Sequence, residues 1–149
     1  MKKFRFSYSP IVKILIAAVI VIAAAGLTLN IVTVVKYAKS DTLLTVVYGV
    51  LSVLTALLLI EAIAIAFYGL YSIKGGFLYS FFGLIYSKTD VNDIIAVQVF
   101  NQTRKLVVYF KDEKFSVIIV APEKYDDFIA ALIKANPEIK YLSDGAEVA

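Results

Sequence analysis

Carboxylates are the groups in this sequence whose types and spacing could do chemistry, and five of them stand out. Glu61 interrupts an apolar run from Leu43 to about Ile65. An acid embedded in such a run is a default candidate for an ion or proton site. Asp90 and Asp93 lie three apart and Asp126 and Asp127 are adjacent, spacings that could seat a metal ion or supply a general acid–base pair. Nothing nearby completes either role. The chain has no histidine and no cysteine, so it lacks an imidazole base, a thiolate nucleophile, a disulfide and a Cys/His zinc site. Neither acid pair stands beside a glycine-rich phosphate loop, and both fall where helix starts favour carboxylates. The expectation is a protein that is not an enzyme and carries no cofactor or metal.

The element that would position Glu61 is one of two apolar stretches, Ile14 to Val35 and Leu43 to about Ile65. Each is long enough to cross a hydrocarbon core of about 30 Å, which takes roughly 20 residues as a helix. Only Lys36 to Thr42 separates them, so they are expected to form an antiparallel hairpin with both ends on one side. The chain is 60% hydrophobic with a mean hydropathy of +0.82, and the apolar excess lies in its first half. The stretch TVVYGVLSVLTALLLI is apolar all round, whereas a helix of a soluble domain keeps one polar face. The opening MKKFRFSYSPIVKILIAAVIVIAAAGL imitates a secretory signal. Its apolar run nevertheless continues to Val35 with no polar cleavage region, so an uncleaved span is expected. The anchor is therefore read as residues 1–66, with spans over 14–35 and 43–65.

Charge near the span ends sets the orientation. Lys2, Lys3, Arg5, Lys13 and Lys74 lie on the terminal side, against Lys36, Lys39 and Asp41 in the turn. Both termini are thus expected in the cytosol. Counting outward from the turn places Glu61 near the cytosolic end of its helix and Lys13 near the same end of the other. A snorkelling lysine can reach that far, so an interfacial Lys13–Glu61 pair is expected rather than a transport site. Ala18 and Ala25 in the first helix, and Gly49, Ser52 and Ala56 in the second, are small faces that suit close packing in lipid, within the hairpin or between copies.

From Phe67 the pattern changes to short β-type runs. FYGLYSI, FLYSFF, LIYSK, IAVQVF, RKLVVYF and FSVIIV are divided by turn residues, with Lys74-Gly75-Gly76 supplying the positive φ angles of a tight hairpin. Asp90 to Asp93 suits a single capped helical turn. In FSVIIV, Phe115, Val117 and Ile119 share one face, which is expected to be core. Pro122 opens a closing helix with Glu123, Asp126 and Asp127 in its first turn. Tyr125, Phe128, Ile129, Leu132 and Ile133 form its apolar stripe, Asn136-Pro137 stops it, and the tail 142–149 is expected to be loose. The fold class is thus a membrane α-helical hairpin plus an α+β domain over 67–141. That domain is a curled antiparallel sheet or small barrel closed by a C-terminal helix.

Two segments carry a resemblance, YSIKGGFLYSFFGLIYSKTDVNDI and APEKYDDFIAALIKANPEIK. They resemble the bacterial pleckstrin-homology-like domains that follow a two-helix membrane hairpin, a family that includes a sublancin-type bacteriocin-immunity protein. The resemblance implies a PH-like fold, a prokaryotic cell membrane, and a role in binding a protein or peptide, with immunity as one version. Eukaryotic pleckstrin domains that bind phosphoinositides resemble one another in a basic first hairpin, but Ile73 to Phe77 has one lysine and no arginine, too few donors for a polyphosphate headgroup.

From Gly69 onward there are nine Lys/Arg against ten Asp/Glu, so no nucleic-acid partner is expected. Arg104, Lys105, Lys111 and Lys114 gather at two turns and could touch anionic lipid, though Asp112 and Glu113 dilute them. Tyr68, Tyr71, Phe77, Tyr79, Phe81, Phe82 and Tyr86 crowd the first strands, as expected of a headgroup boundary or an edge open to a partner strand. The candidate membrane and interface residues are therefore Lys13, Glu61, Tyr68, Tyr71, Phe77, Tyr79, Phe81, Arg104 and Lys105. A non-catalytic membrane adaptor is the expected function. The alternatives are a structural subunit of a larger membrane complex, or an enzyme or transporter component using Glu61.

Overall fold

A computed structural model describes residues 2–142, which divide into two compact units. The first is the hairpin, residues 9–68. Helix α1 spans Pro10–Tyr37 and helix α2 Thr42–Tyr68. Ser9 caps α1, its Oγ accepting from the Val12 N–H, and Pro10 takes the first helical position, where a missing N–H costs nothing. Asp41 starts α2 by accepting from the Leu44 N–H at 3.0 Å. With 28 and 27 residues, each helix is about 40 Å long at 1.5 Å per residue. Both are long and apolar enough to cross a membrane, with mean hydropathies of 2.6 and 2.5.

Within the hairpin, the helices meet where Asn30 Nδ2 donates to Thr55 Oγ1 at 3.3 Å and where Gly26 faces the Thr55 methyl. Gly49, Ser52 and Ala56 are half-buried, but Ala18 and Ala25 are exposed. Seven-residue spacing puts that alanine pair on one face, and the pairing of Asn30 with Thr55 turns that face outward.

The second unit comprises residues 2–8 with the chain from Gly69. One antiparallel sheet runs β1 (Lys2–Arg5), β2 (Leu70–Lys74), β3 (Phe77–Phe82), β4 (Ile85–Asp90). A second contains β5 (Ile94–Phe100), β6 (Lys105–Phe110) and β7 (Phe115–Ile118), with β8 (Lys140–Leu142) lying parallel to β5. Helix α3, Tyr125–Ala135, buries Tyr125, Phe128, Ile129 and Leu132 in one core with Phe4, Tyr71, Leu78, Leu106 and Val108. The sheets are joined where Phe6 bridges Val120 and the Ser7 N–H donates to the Ile119 carbonyl.

Several expectations are met locally. Gly75 and Gly76 both have positive φ between the paired Lys74 and Phe77, the two-residue turn that only small residues make without strain. Asp90 accepts from the Asn92 N–H and caps a single 3-10 turn. Asn136 ends α3, its N–H donating to the Leu132 carbonyl.

Three features differ. Residues 2–8 do not belong with the anchor: they begin the sheet, and the hairpin is inserted between β1 and β2. In KKFRF, Phe4 alternates with exposed Lys3 and Arg5, a strand pattern in what otherwise reads as basic flanking charge. In β7, Phe115 and Val117 are exposed while Ile118 and then Val120 are buried. Register decides this, because Ile118 lies opposite buried Leu106 and Ser116 opposite buried Val108. Finally, Leu142 belongs to β8, and the rest of the expected loose tail, 143–149, lies outside the described residues.

Candidate interaction surface

Strand periodicity builds the surface. Along β3, Leu78 points into the core while Phe77, Tyr79 and Phe81 share the opposite, half-buried face, as period-two geometry requires. Their rings form a ladder, with Phe77–Tyr79 and Tyr79–Phe81 centroids each 6.3 Å apart. Phe81 pairs across to Tyr86 at 6.0 Å. Lys88 holds its ammonium 3.7 Å over the Phe77 ring, a cation–π contact. Register places Lys3 in the row of Ser72, Tyr79 and Lys88, and Arg5 in the row of Leu70, Phe81 and Tyr86. The outer face of the first sheet is therefore an aromatic ladder bordered by cations.

Tyr71 does not join it. It shares its parity with Ile73 and is 3% exposed, packed against Phe6 and Phe128, with the Ile119 N–H donating to its oxygen at 3.4 Å. Burial raises its phenol above the ordinary value; the Ile119 contact opposes this and a neighbouring Tyr8 charge adds to it. The fold thus favours the neutral phenol. Stability from this group is complete below the ordinary phenol value of about 10 and is lost as pH rises through the raised native one. Tyr71→Phe is expected to cost no more than about 1 kcal/mol at neutral pH, since one long hydrogen bond is removed. The same substitution should lessen the alkaline loss in melts between pH 9 and 11.

The remaining candidates are dispersed. Lys13 is exposed in the first turn of α1, Glu61 is half-buried in α2, and Tyr68 is exposed at its end. Arg104 and Lys105 are exposed at the turn into β6, whereas Lys111 and Lys114 stand at the turn out of it. The two cationic turns therefore occupy opposite ends of one strand, about 17 Å apart at 3.3–3.4 Å per residue, and do not form a single patch. The Arg104 carbonyl is fixed by the Tyr125 hydroxyl at 2.7 Å. Lys114 pairs with Asp112 on the surface, holding that carboxyl below its usual range.

Asp90 is a cap, and Asp127 approaches Lys124 at 3.7 Å. Among the described residues, no three His, Cys, Asp or Glu side chains gather as a metal cluster. A cleft of about 470 Å³ lies between Thr89, Asp93, Phe110, Lys111 and Phe115.

Sequence reasoning named Phe82 and Tyr86 among the aromatics of a headgroup boundary but missed that Leu84 and Ile85 join them in one tip between β3 and β4. Phe82, Leu84, Ile85 and Tyr86 are all exposed there, although FFGLIY had signalled it as a continuous apolar run broken only by Gly83. A second missed position is Gly69. A Cβ there would lie 2.6 Å from both Phe6 Cδ2 and Tyr8 Oη, and Phe6 is already wedged against Tyr8, Tyr71 and Phe82. Gly69→Val is expected to displace both rings at a cost of about 1–3 kcal/mol. The check is faster hydrogen exchange at the Phe6 amide, which donates to the Gly69 carbonyl.

Fold and surface together define a class of protein: a two-sheet α+β unit interrupted after its first strand by a hairpin of two membrane-length apolar helices. Comparison with family models, with curated proteins and with solved structures finds no match.

Proposed function

We propose that the chain is a membrane-anchored, non-catalytic interaction module. In this reading the hairpin crosses a prokaryotic cell membrane twice, and both termini and a PH-like sheet unit face the cytosol. A protein or peptide partner binds at the membrane face. Two sheets, the second antiparallel except for β8, that meet at Phe6–Val120 and are closed by α3 support the PH-like reading, and Lys13 facing Glu61 at the interface remains part of it.

The observation that carries the function is the ladder Phe77, Tyr79 and Phe81 with Lys88 over one ring. Aromatic side chains on a half-exposed strand are among the residue types enriched where protein partners bind. The test replaces Tyr79 with p-benzoylphenylalanine in cells and irradiates them. A defined protein adduct, not seen with the same probe at Phe115, is expected, whereas adducts to lipid alone or none at all would sink the partner reading. Cytosolic accessibility of a tag after Ala149 tests the orientation. If the role is bacteriocin immunity, expressing cells should survive the cognate peptide and cells lacking the protein should not.

A structural-subunit role is the second reading. The outward Ala18–Ala25 face of α1 favours it, being small and unused within the hairpin. It predicts migration far above 16.4 kDa in gentle detergent.

A further inference from the structure

The β3–β4 connection has the geometry of an ordinary tight turn and the composition of a membrane contact. Gly83 adopts φ 66°, and Phe82 pairs with Ile85, so Gly83-Leu84 is a two-residue hairpin loop. Such loops in water are dominated by Asn, Asp and Gly. Here Leu84 is 69% exposed and is followed by the exposed Ile85 and Tyr86, with Phe82 before it. The neighbouring turns contrast with this: Lys74-Gly75-Gly76, Asn101 to Arg104 and Lys111 to Lys114 are glycine, polar or charged. A contiguous apolar tip on an outer strand is an interaction site or an aggregation hazard.

Register says what the tip meets. Arg5 pairs with Leu70, Leu70 with Phe81, and Phe82 with Ile85. The tip therefore stands at the end of the first sheet that carries Phe6 and Gly69. Those are the two places where the chain leaves for the hairpin, and the Phe82 ring lies 4.7 Å from that of Phe6. Ser9 adjoins α1, and Gly69 directly follows α2. The apolar tip is thus beside both residues of the sheet unit from which the chain passes, with no more than three residues intervening, into a membrane-length apolar helix. Phe82 and Tyr86 are the amphipathic or apolar aromatics of a headgroup belt, and Arg5, in the Tyr86 row, is a cation suited to lipid phosphate.

We propose that Phe82 to Tyr86 is an interfacial hairpin that dips into the headgroup boundary of the phospholipid bilayer, giving the sheet unit a third attachment beside its two covalent ones. The inference rests on the membrane-anchored reading, and its test separates the two. The chain contains no tryptophan, so single-tryptophan variants of the full protein in phospholipid vesicles report one position each. Leu57→Trp, in the middle of α2, tests the anchor; Leu84→Trp tests the tip; Phe115→Trp, exposed on β7 away from the Phe6–Val120 bridge, marks water.

The expected result is blue-shifted Leu84→Trp emission, lost when the lipids are brominated near the glycerol end of their chains and protected from iodide. Phe115→Trp should show the reverse. Ile85→Trp should repeat the Leu84 result, which guards against disturbance of the turn. If Leu57→Trp is quenched by brominated lipid but both tip probes are quenched by iodide, the tip inference is wrong and the anchor stands. Tip probes shielded from both quenchers would put a second protein chain on the tip and overturn the lipid assignment. An unquenched Leu57→Trp would overturn both readings.

Discussion

Replacing Phe128 by alanine is expected to destabilise the sheet unit by about 3–5 kcal/mol, the usual range for deleting a buried phenylalanine. Phe128 is 0% exposed and lies on the buried stripe of α3. Its ring meets Phe4 at 5.0 Å and Tyr71 at 5.7 Å, both edge-on. One side chain thus joins α3 to β1 and β2. Total stabilities run to about 5–15 kcal/mol, so this loss is a large fraction of what holds the unit together. The damage should begin at β1, whose only buried side chain is Phe4. Hydrogen exchange is therefore expected to accelerate first at residues 2–6, while the amides of α1 and α2 keep their protection. Phe128→Leu retains most of the volume and should cost less than half as much. Equal losses for the two substitutions, or unchanged exchange at β1, would mean that Phe128 does not tie the first strand to the helix.

The parts of this architecture legible in the sequence are those whose signals are local. The hairpin follows from apolar length broken by a single charge, Glu61, the Gly75-Gly76 turn from its dipeptide, and α3 from a five-residue stripe stopped by Asn136, although Pro122 opens a separate 3-10 turn and α3 itself begins at Tyr125. What escaped depends on partners far away in the chain. β1 finds β2 across the sixty residues of the hairpin, so Phe4 alternating with Lys3 and Arg5 had nothing adjacent to confirm it. β8 is three residues long and pairs in parallel with a strand some forty residues earlier. FSVIIV is apolar on both parities, and only the pairing with Leu106 and Val108 chooses its buried face.

The candidate surface divides in the same way. Phe77, Tyr79 and Phe81 share a parity that sequence displays directly, whereas counting all the aromatics of β2 and β3 together included Tyr71, which belongs with Ile73 in the core. The position of the Phe82–Tyr86 tip depends on register, and through it on β1, so it became visible only once the sheet was assembled.

Asn136→Asp, a change of one side-chain amide to a carboxylate, is expected to cost about 3–5 kcal/mol near neutral pH, the range for stranding a buried charge. Asn136 is buried and makes four hydrogen bonds at the end of α3, one of them its carbonyl accepting from the Ile139 N–H at 3.3 Å. Its Nδ2 donates to the Val91 carbonyl at 3.2 Å, its Oδ1 accepts from the Glu138 N–H at 3.0 Å, and its own N–H donates to the Leu132 carbonyl. An amide is the group that can donate on one side and accept on the other. The carboxylate keeps the Glu138 contact but sets a charged acceptor against the Val91 carbonyl, and Val91 is itself fully buried. Asn136→Ala, by contrast, removes one of two hydrogen bonds to the Val91 carbonyl, which still accepts from the Ile94 N–H, and costs about 0.5–1.5 kcal/mol, with the Glu138 N–H free to find water at the exposed edge. Acid separates the two. Burial raises the introduced carboxyl's pKa in the folded state, so the native state binds the extra proton first. The aspartate variant should then recover stability as pH falls through that raised value, because the protonated acid can again donate to Val91. The alanine variant has no such group and should show no matching recovery. Denaturant melts of the two variants at pH 7 and pH 4.5 measure this, and parallel behaviour would show that Asn136 does not bridge Val91 and Glu138.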